Sequence, residues 1–94
     1  MRYIDVEWKH ELKEEPVRLV SEIGDDEFET RKLEFFANGN VGYASSKSSS
    51  EKTGLGTAPV PSLSEINEQS EFVGKIISAN QFETLWQKHA PQNS

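Results

Sequence analysis

The chain of 94 residues contains no cysteine. That absence excludes disulfides, thiolate zinc sites and a cysteine nucleophile. Small secreted domains often depend on disulfides, so the composition predicts a reducing, cytoplasmic setting. No apolar run approaches the roughly 18 residues of a membrane span. The opening residues Met1-Arg2-Tyr3-Ile4-Asp5-Val6-Glu7 carry charges where a signal peptide needs an unbroken apolar stretch, so no processing is expected. Histidine is scarce. His10 and His89 lie far apart, no H-x-x-x-H spacing occurs, and no metal or cofactor is expected. Basic residues are few and scattered. Arg31-Lys32 is the one adjacent pair and sits between Glu29 and Glu34, the wrong field for binding nucleic acid directly. Gly54-Leu55-Gly56 follows no strand and lacks the Walker pattern, so it is no phosphate loop. The serine run lacks the context of a nucleophile elbow. No enzyme activity, and no catalytic residue, is expected.

Acid is what the chain has, and it is unevenly placed. Residues 1–30 carry ten acids against four bases, a balance of −6, while residues 31–94 carry six of each sign. Such a field attracts a cationic surface and repels phosphate. Glu11, Glu14 and Glu15 form one cluster; Asp25, Asp26, Glu27 and Glu29 form a second. A strand-length segment separates them, so they are expected at opposite ends of that strand. Ordinary solubilising surface and a docking face for a basic partner are both open. Glu14, Glu15, Asp25, Asp26, Glu27, Glu29 and Tyr43 are the candidate partner-binding residues. His10 is either a general base beside Glu7 or Glu11, or a hydrogen-bonded histidine at a sheet edge.

The hydrophobic fraction is only 34%, but nine aromatic side chains supply core area. Residues 2–10 alternate, with Ile4, Val6 and Trp8 on one side and Asp5, Glu7 and Lys9 on the other, which predicts a strand with one solvated face. Tyr3 breaks this polar side. Pro16 interrupts a charged connection, and 17–23 predicts a second strand. The third strand spans 28–37, where Phe28 and Phe36 suggest a bulge or a second packing surface. Asn38-Gly39 predicts a type I′ hairpin into a strand at 40–44. Residues 45–58 are Ser- and Gly-rich and predict a flexible loop. Ser62-Leu63-Ser64-Glu65 and Ser78-Ala79-Asn80-Gln81 are capping-box patterns opening two helices, with a short strand at 72–77 between them. Phe82, Leu85, Trp86 and His89 recur at helical spacing. Pro91 ends that helix, and Gln92-Asn93-Ser94 is expected to fray.

The order β-β-β-β-α-β-α predicts a single α+β domain over 1–94. Its antiparallel sheet has about five strands, with two short helices packed on one face. Phe82 and Trp86 are expected to cover Ile4, Val6, Trp8, Leu19 and Leu33.

A set of motifs runs along nearly the whole chain: Tyr3-Ile4-x-Val6-x-Trp8-x-His10, Asn38-Gly39-x-x-Gly42-Tyr43-Ala44 and Leu55-Gly56-x-x-Pro59-Val60-Pro61-Ser62-Leu63-x-Glu65-Ile66-Asn67. Together they resemble a family of small bacterial proteins without assigned activity. They are also similar to the immunity proteins encoded beside contact-dependent growth-inhibition toxins. The resemblance implies an immunity protein that binds a cognate toxin domain, a basic nuclease and in particular a ribonuclease, and occludes its cleft. An adaptor or subunit of another complex is the alternative, and a small His-dependent enzyme the third.

Overall fold

A computed structural model describes residues 1–91, so the tail Gln92-Asn93-Ser94 lies outside the described residues. The elements are β1 (Arg2–Trp8), β2 (Arg18–Ile23), β3 (Glu29–Phe35), β4 (Val41–Ser45), α1 (Leu63–Glu68), β5 (Phe72–Ile76) and α2 (Ala79–His89). The strands form one antiparallel sheet in the order β4-β3-β2-β1-β5. The fold is α+β, as the element order predicts.

The two helices lie on opposite faces rather than together. Register places Tyr3, Asp5, Arg18, Val20, Glu22, Arg31, Leu33, Phe35 and Tyr43 on one face. There α2 packs Phe82, Trp86 and Ala90 against Val20 and Leu33. Tyr3, unassigned by pattern, meets Phe82 at 5.4 Å between ring centroids. Ile4, Val6 and Ile23 form a second cluster on the other face, covered by Val60, Leu63, Ile66 and Phe72. Of the residues expected beneath Phe82 and Trp86, only Leu33 is there; Ile4, Val6, Trp8 and Leu19 point the opposite way. The physical reason is that apolar residues occupy both parities of β1 and β2. The Asp5 side of β1 is solvated only at its Glu7 end. Asp5 is buried and grips Arg18 through two bonds, 2.9 and 2.7 Å.

Local chemistry fixes the connections. At Asn38-Gly39 only Gly39 has positive φ, +93°. The Gly39 N–H donates to Phe36 O, and Phe36 N–H donates to Asn40 O. The turn is thus a three-residue loop with glycine in the left-handed position, not type I′, which needs positive φ at two residues. The anticipated bulge falls at Thr30, where the β2–β3 register shifts between Glu22 and Ile23. Ser78 and Gln81 complete a capping box at α2. At α1, Ser62 accepts from the Glu65 N–H, but its hydroxyl turns to the Glu65 carboxylate, leaving half a box. The 45–58 loop is tied down along its length: Ser50 N–H bonds Tyr43 O, Thr53 Oγ1 bonds Glu34, and Gly56 N–H bonds Glu29.

Candidate protein-docking surface

The two acidic clusters occupy opposite ends of β2, one before Arg18 and one after Ile23. Most carboxylates of the second cluster are engaged within the fold. Asp25 meets the N-terminal amine at 3.0 Å. Glu27 stands at φ 71°, a conformation that favours glycine. Its carboxylate takes Arg2 Nε and Nη2 at 3.1 and 2.8 Å, and Arg2 also reaches the carbonyls of Val60 and Pro61. Asp26 caps its own turn by accepting the Phe28 N–H. Glu29 faces inward, bound by Gly56 N–H at 2.7 Å and Lys32 Nζ at 3.3 Å. Tyr43 is half-buried and packs edge-on against Trp86.

The first cluster is different. Glu11, Glu14 and Glu15 are exposed, and neither they nor Glu7 forms an ion pair among the described residues. His10 shapes the connection that carries them. Its Nδ1 accepts the Leu12 N–H at 2.9 Å and its Nε2 meets Pro16 O at 2.7 Å. These partners assign the proton to Nε2, and both nitrogens are used in folding the loop. His10 also packs against Trp8, 4.4 Å between ring centroids. Leu12 projects from the same connection with 58% of its surface exposed. Where the connection joins the sheet at His10 lies an open groove of about 750 Å³, bordered also by Glu7, Lys9, Val17, Arg18, Val73 and Lys75. The end of the sheet at 9–17 therefore combines unpaired carboxylates, an exposed leucine and a concave flank. Leu12 was not singled out in the sequence, and Glu7 was considered only as an acid beside His10. Leu12 interrupts a charged run, which was a usable signal; the lack of a partner at Glu7 depends on register.

The remaining buried charge holds α2 to the sheet. Arg31 grips Glu22 through Nε and Nη2, at 2.9 and 2.6 Å, and also bonds both oxygens of Glu83 on α2. Its guanidinium lies over Phe82 and Trp86. Arg31 holds the Glu22 carboxyl below the usual carboxylate range, outweighing burial, and Thr30 adds to the effect. The Tyr3 hydroxyl is pushed up, first by burial and then by Glu22. His89 is pushed down by burial, with Lys88 and Arg18 adding, and stands edge-on to Phe35.

Both sheet edges are closed. On β4, Tyr43 N–H and O both bond Ser50, and Ser45 N–H bonds Ser48 O. On β5, the Asn67 carboxamide satisfies both backbone groups of Gly74, accepting from its N–H at 2.6 Å and donating to its carbonyl at 3.1 Å. Among the described residues no group of three or more His, Asp or Glu side chains is placed to hold a metal ion. None of the described helices is long and apolar enough to cross a membrane.

A five-stranded antiparallel sheet with a helix on each face and exposed, unpaired carboxylates at one end defines a small α+β domain. A family model described as a domain of unknown function (DUF6881) matches residues 2–91, and the chain belongs to that family. No curated protein and no solved structure matches it.

Proposed function

We propose that this chain is a protein-binding inhibitor: an immunity protein that docks on a cationic toxin domain, a ribonuclease in the first instance, and covers its basic cleft. The observation that carries the proposal is the set of exposed, unpaired carboxylates Glu7, Glu11, Glu14 and Glu15 at one end of the sheet, with the exposed Leu12 in the same segment. Unpaired acids attract a basic partner without first breaking internal salt bridges, and an apolar residue among them supplies area that excludes water. The docking surface thus centres on Glu14 and Glu15 and takes in Glu7 and Glu11. Asp25, Asp26 and Glu27 lie at the other end, and Glu29 and Tyr43 face inward. The engagement of both His10 nitrogens supports a role without bond chemistry.

Co-expression with the toxin domain encoded beside the gene tests the proposal. Growth is rescued, and the two chains co-purify at low salt. Replacing Glu11, Glu14 and Glu15 together by Gln slows association about tenfold or more, with the largest effect at low ionic strength. Failure of rescue together with no complex at low salt rejects the inhibitor. Rescue with unchanged, salt-independent association keeps the inhibitor and rejects the acidic end as its docking face.

A further inference from the structure

The face of the sheet opposite α2 holds a second concave feature, an apolar slot of about 310 Å³ beneath α1. Its walls are Ile4, Val6, Leu19, Ile66 and Phe72. Ser21 and Glu29 also border it. That volume sits at the low end of the range for small-ligand sites, about 300–1,000 Å³, and suits one long side chain.

The chemistry around Glu29 states what the slot lacks. Glu29 Oε1 takes the Gly56 N–H at 2.7 Å and Lys32 Nζ at 3.3 Å. Glu29 Oε2 has only the Ser21 hydroxyl, at 3.3 Å. Lys32 is itself shared, with Nζ 3.8 Å from Glu34. One ammonium therefore serves two carboxylates on this half-buried face, and one carboxylate oxygen is under-bonded beside an apolar cleft. Carboxylates out of bulk water gain strongly from a further charge-assisted donor. An apolar stem with a cationic tip supplies both missing parts.

We propose that the slot takes a basic side chain, arginine or lysine, from the partner protein, with its stem along Leu19, Ile66 and Phe72 and its charged tip on Glu29 Oε2. The proposal rests on the protein-docking function above and adds an anchor pocket on the α1 face of the sheet, reaching toward the end away from Glu14 and Glu15. Charge complementarity selects this occupant over a neutral one, because a purely apolar guest leaves the second carboxylate without its counter-charge.

The test is a titration of the isotope-labelled full chain with n-butylguanidinium, n-butylammonium and 1-pentanol, followed by methyl and amide NMR shifts. The two cations are expected to give saturable shifts confined to Ile4, Val6, Leu19 and Ile66 and to the Glu29 amide. The alcohol should bind about tenfold more weakly or worse. Glu29→Gln should erase the preference for cations. Ile66→Trp, which fills the slot from α1 and leaves the Glu29 carboxylate in the chain, should abolish all three responses, and it keeps the test decisive should Glu29→Gln fail to fold. Shifts that do not saturate, that map to Glu11, Glu14 and Glu15, or that are equal for cation and alcohol overturn the slot. No toxin is needed, so a failed titration removes the anchor pocket alone, and failed growth rescue with a positive titration removes the inhibitor alone.

Discussion

Glu27 shows how a single residue can trade local strain against a side-chain contact. At φ 71° a non-glycine residue is disfavoured by about 1–2 kcal/mol. Its exposed pair with Arg2 returns roughly 0–1 kcal/mol. Glu27→Gly should therefore leave stability unchanged or raise it by up to about 1 kcal/mol, measured as a urea midpoint at constant m-value. A loss above about 1 kcal/mol would show that the Arg2 bridge to Val60 and Pro61 matters more than the backbone strain. Glu22 and His89 set the acid response. Both are shifted down in the folded state, Glu22 first by its bonds to Arg31 and His89 first by burial. A group with a depressed folded pKa stabilises above its unfolded value and loses that contribution as pH falls through the folded one. Stability should thus decline on acidification in two stages, one starting near the ordinary histidine value of 6.5 and one near the ordinary carboxylate value of 4.5. Glu22→Gln should remove the lower stage and cost about 1–3 kcal/mol at neutral pH, since Arg31 loses its buried carboxylate and keeps only Glu83. Urea midpoints across pH 3–8, on the order of one unit apart, resolve both stages. If Glu22→Gln retains the lower stage, a different carboxylate controls it.

Among the elements, β4 depends on a glycine to seat the long loop. A Cβ at Gly42 would overlap Thr53 Oγ1 and crowd Ser50 Oγ at 3.1 Å. Thr53 is 5% exposed and donates to Glu34, so it has little room to retreat. Gly42→Ala should cost about 1–3 kcal/mol by overpacking. It should also speed amide exchange at Ser50 and Thr53 while leaving α2 protected; uniform loss across the sheet would mean that the loop and core unfold together. The same loop marks where the sequence was hard to read. Its Ser- and Gly-rich composition suggests slack chain, yet Glu29 and Glu34 on the strand beneath supply its anchors. The order of elements along the chain and both helix starts were legible, because alternation and capping patterns are local signals. The burial of the second sheet face was not. Asp5 and Glu22 look solvated in the sequence, and only register shows that Arg18 and Arg31 neutralise them beneath α2. The candidate site was half legible for the same reason. Composition located both acidic clusters, but not that Glu27 and Glu29 are already paired while Glu14 and Glu15 are not.

At the scale of the whole molecule, the sheet is protected from pairing with other strands. An open edge presents unpaired N–H and C=O groups that recruit a second chain. The β4 edge is closed by its own loop folding back through Ser48 and Ser50. The β5 edge is closed by one side chain, since Asn67 bonds both backbone groups of Gly74 as a neighbouring strand would. Val73 and Ile76 flank that point with 49% and 72% of their surfaces exposed. Register puts them on opposite faces, so an added strand would bury one on each side. These contacts block strand addition at Gly74 and along β4. Asn67→Ala removes the plug. Because the freed groups can turn to water, its direct effect on stability should stay below about 1 kcal/mol. Its effect on association should be larger, with β5 of two copies pairing antiparallel about a two-fold axis. Sedimentation velocity should then show the wild type as a monomer, and Asn67→Ala shifting to a dimer as concentration rises. Adding Val73→Lys should restore the monomer, because a charge on the new interface opposes burial. An Asn67→Ala chain that sediments as wild type at every concentration would show that α1 shields β5 by bulk, through Leu63 over Gly74, rather than through the amide.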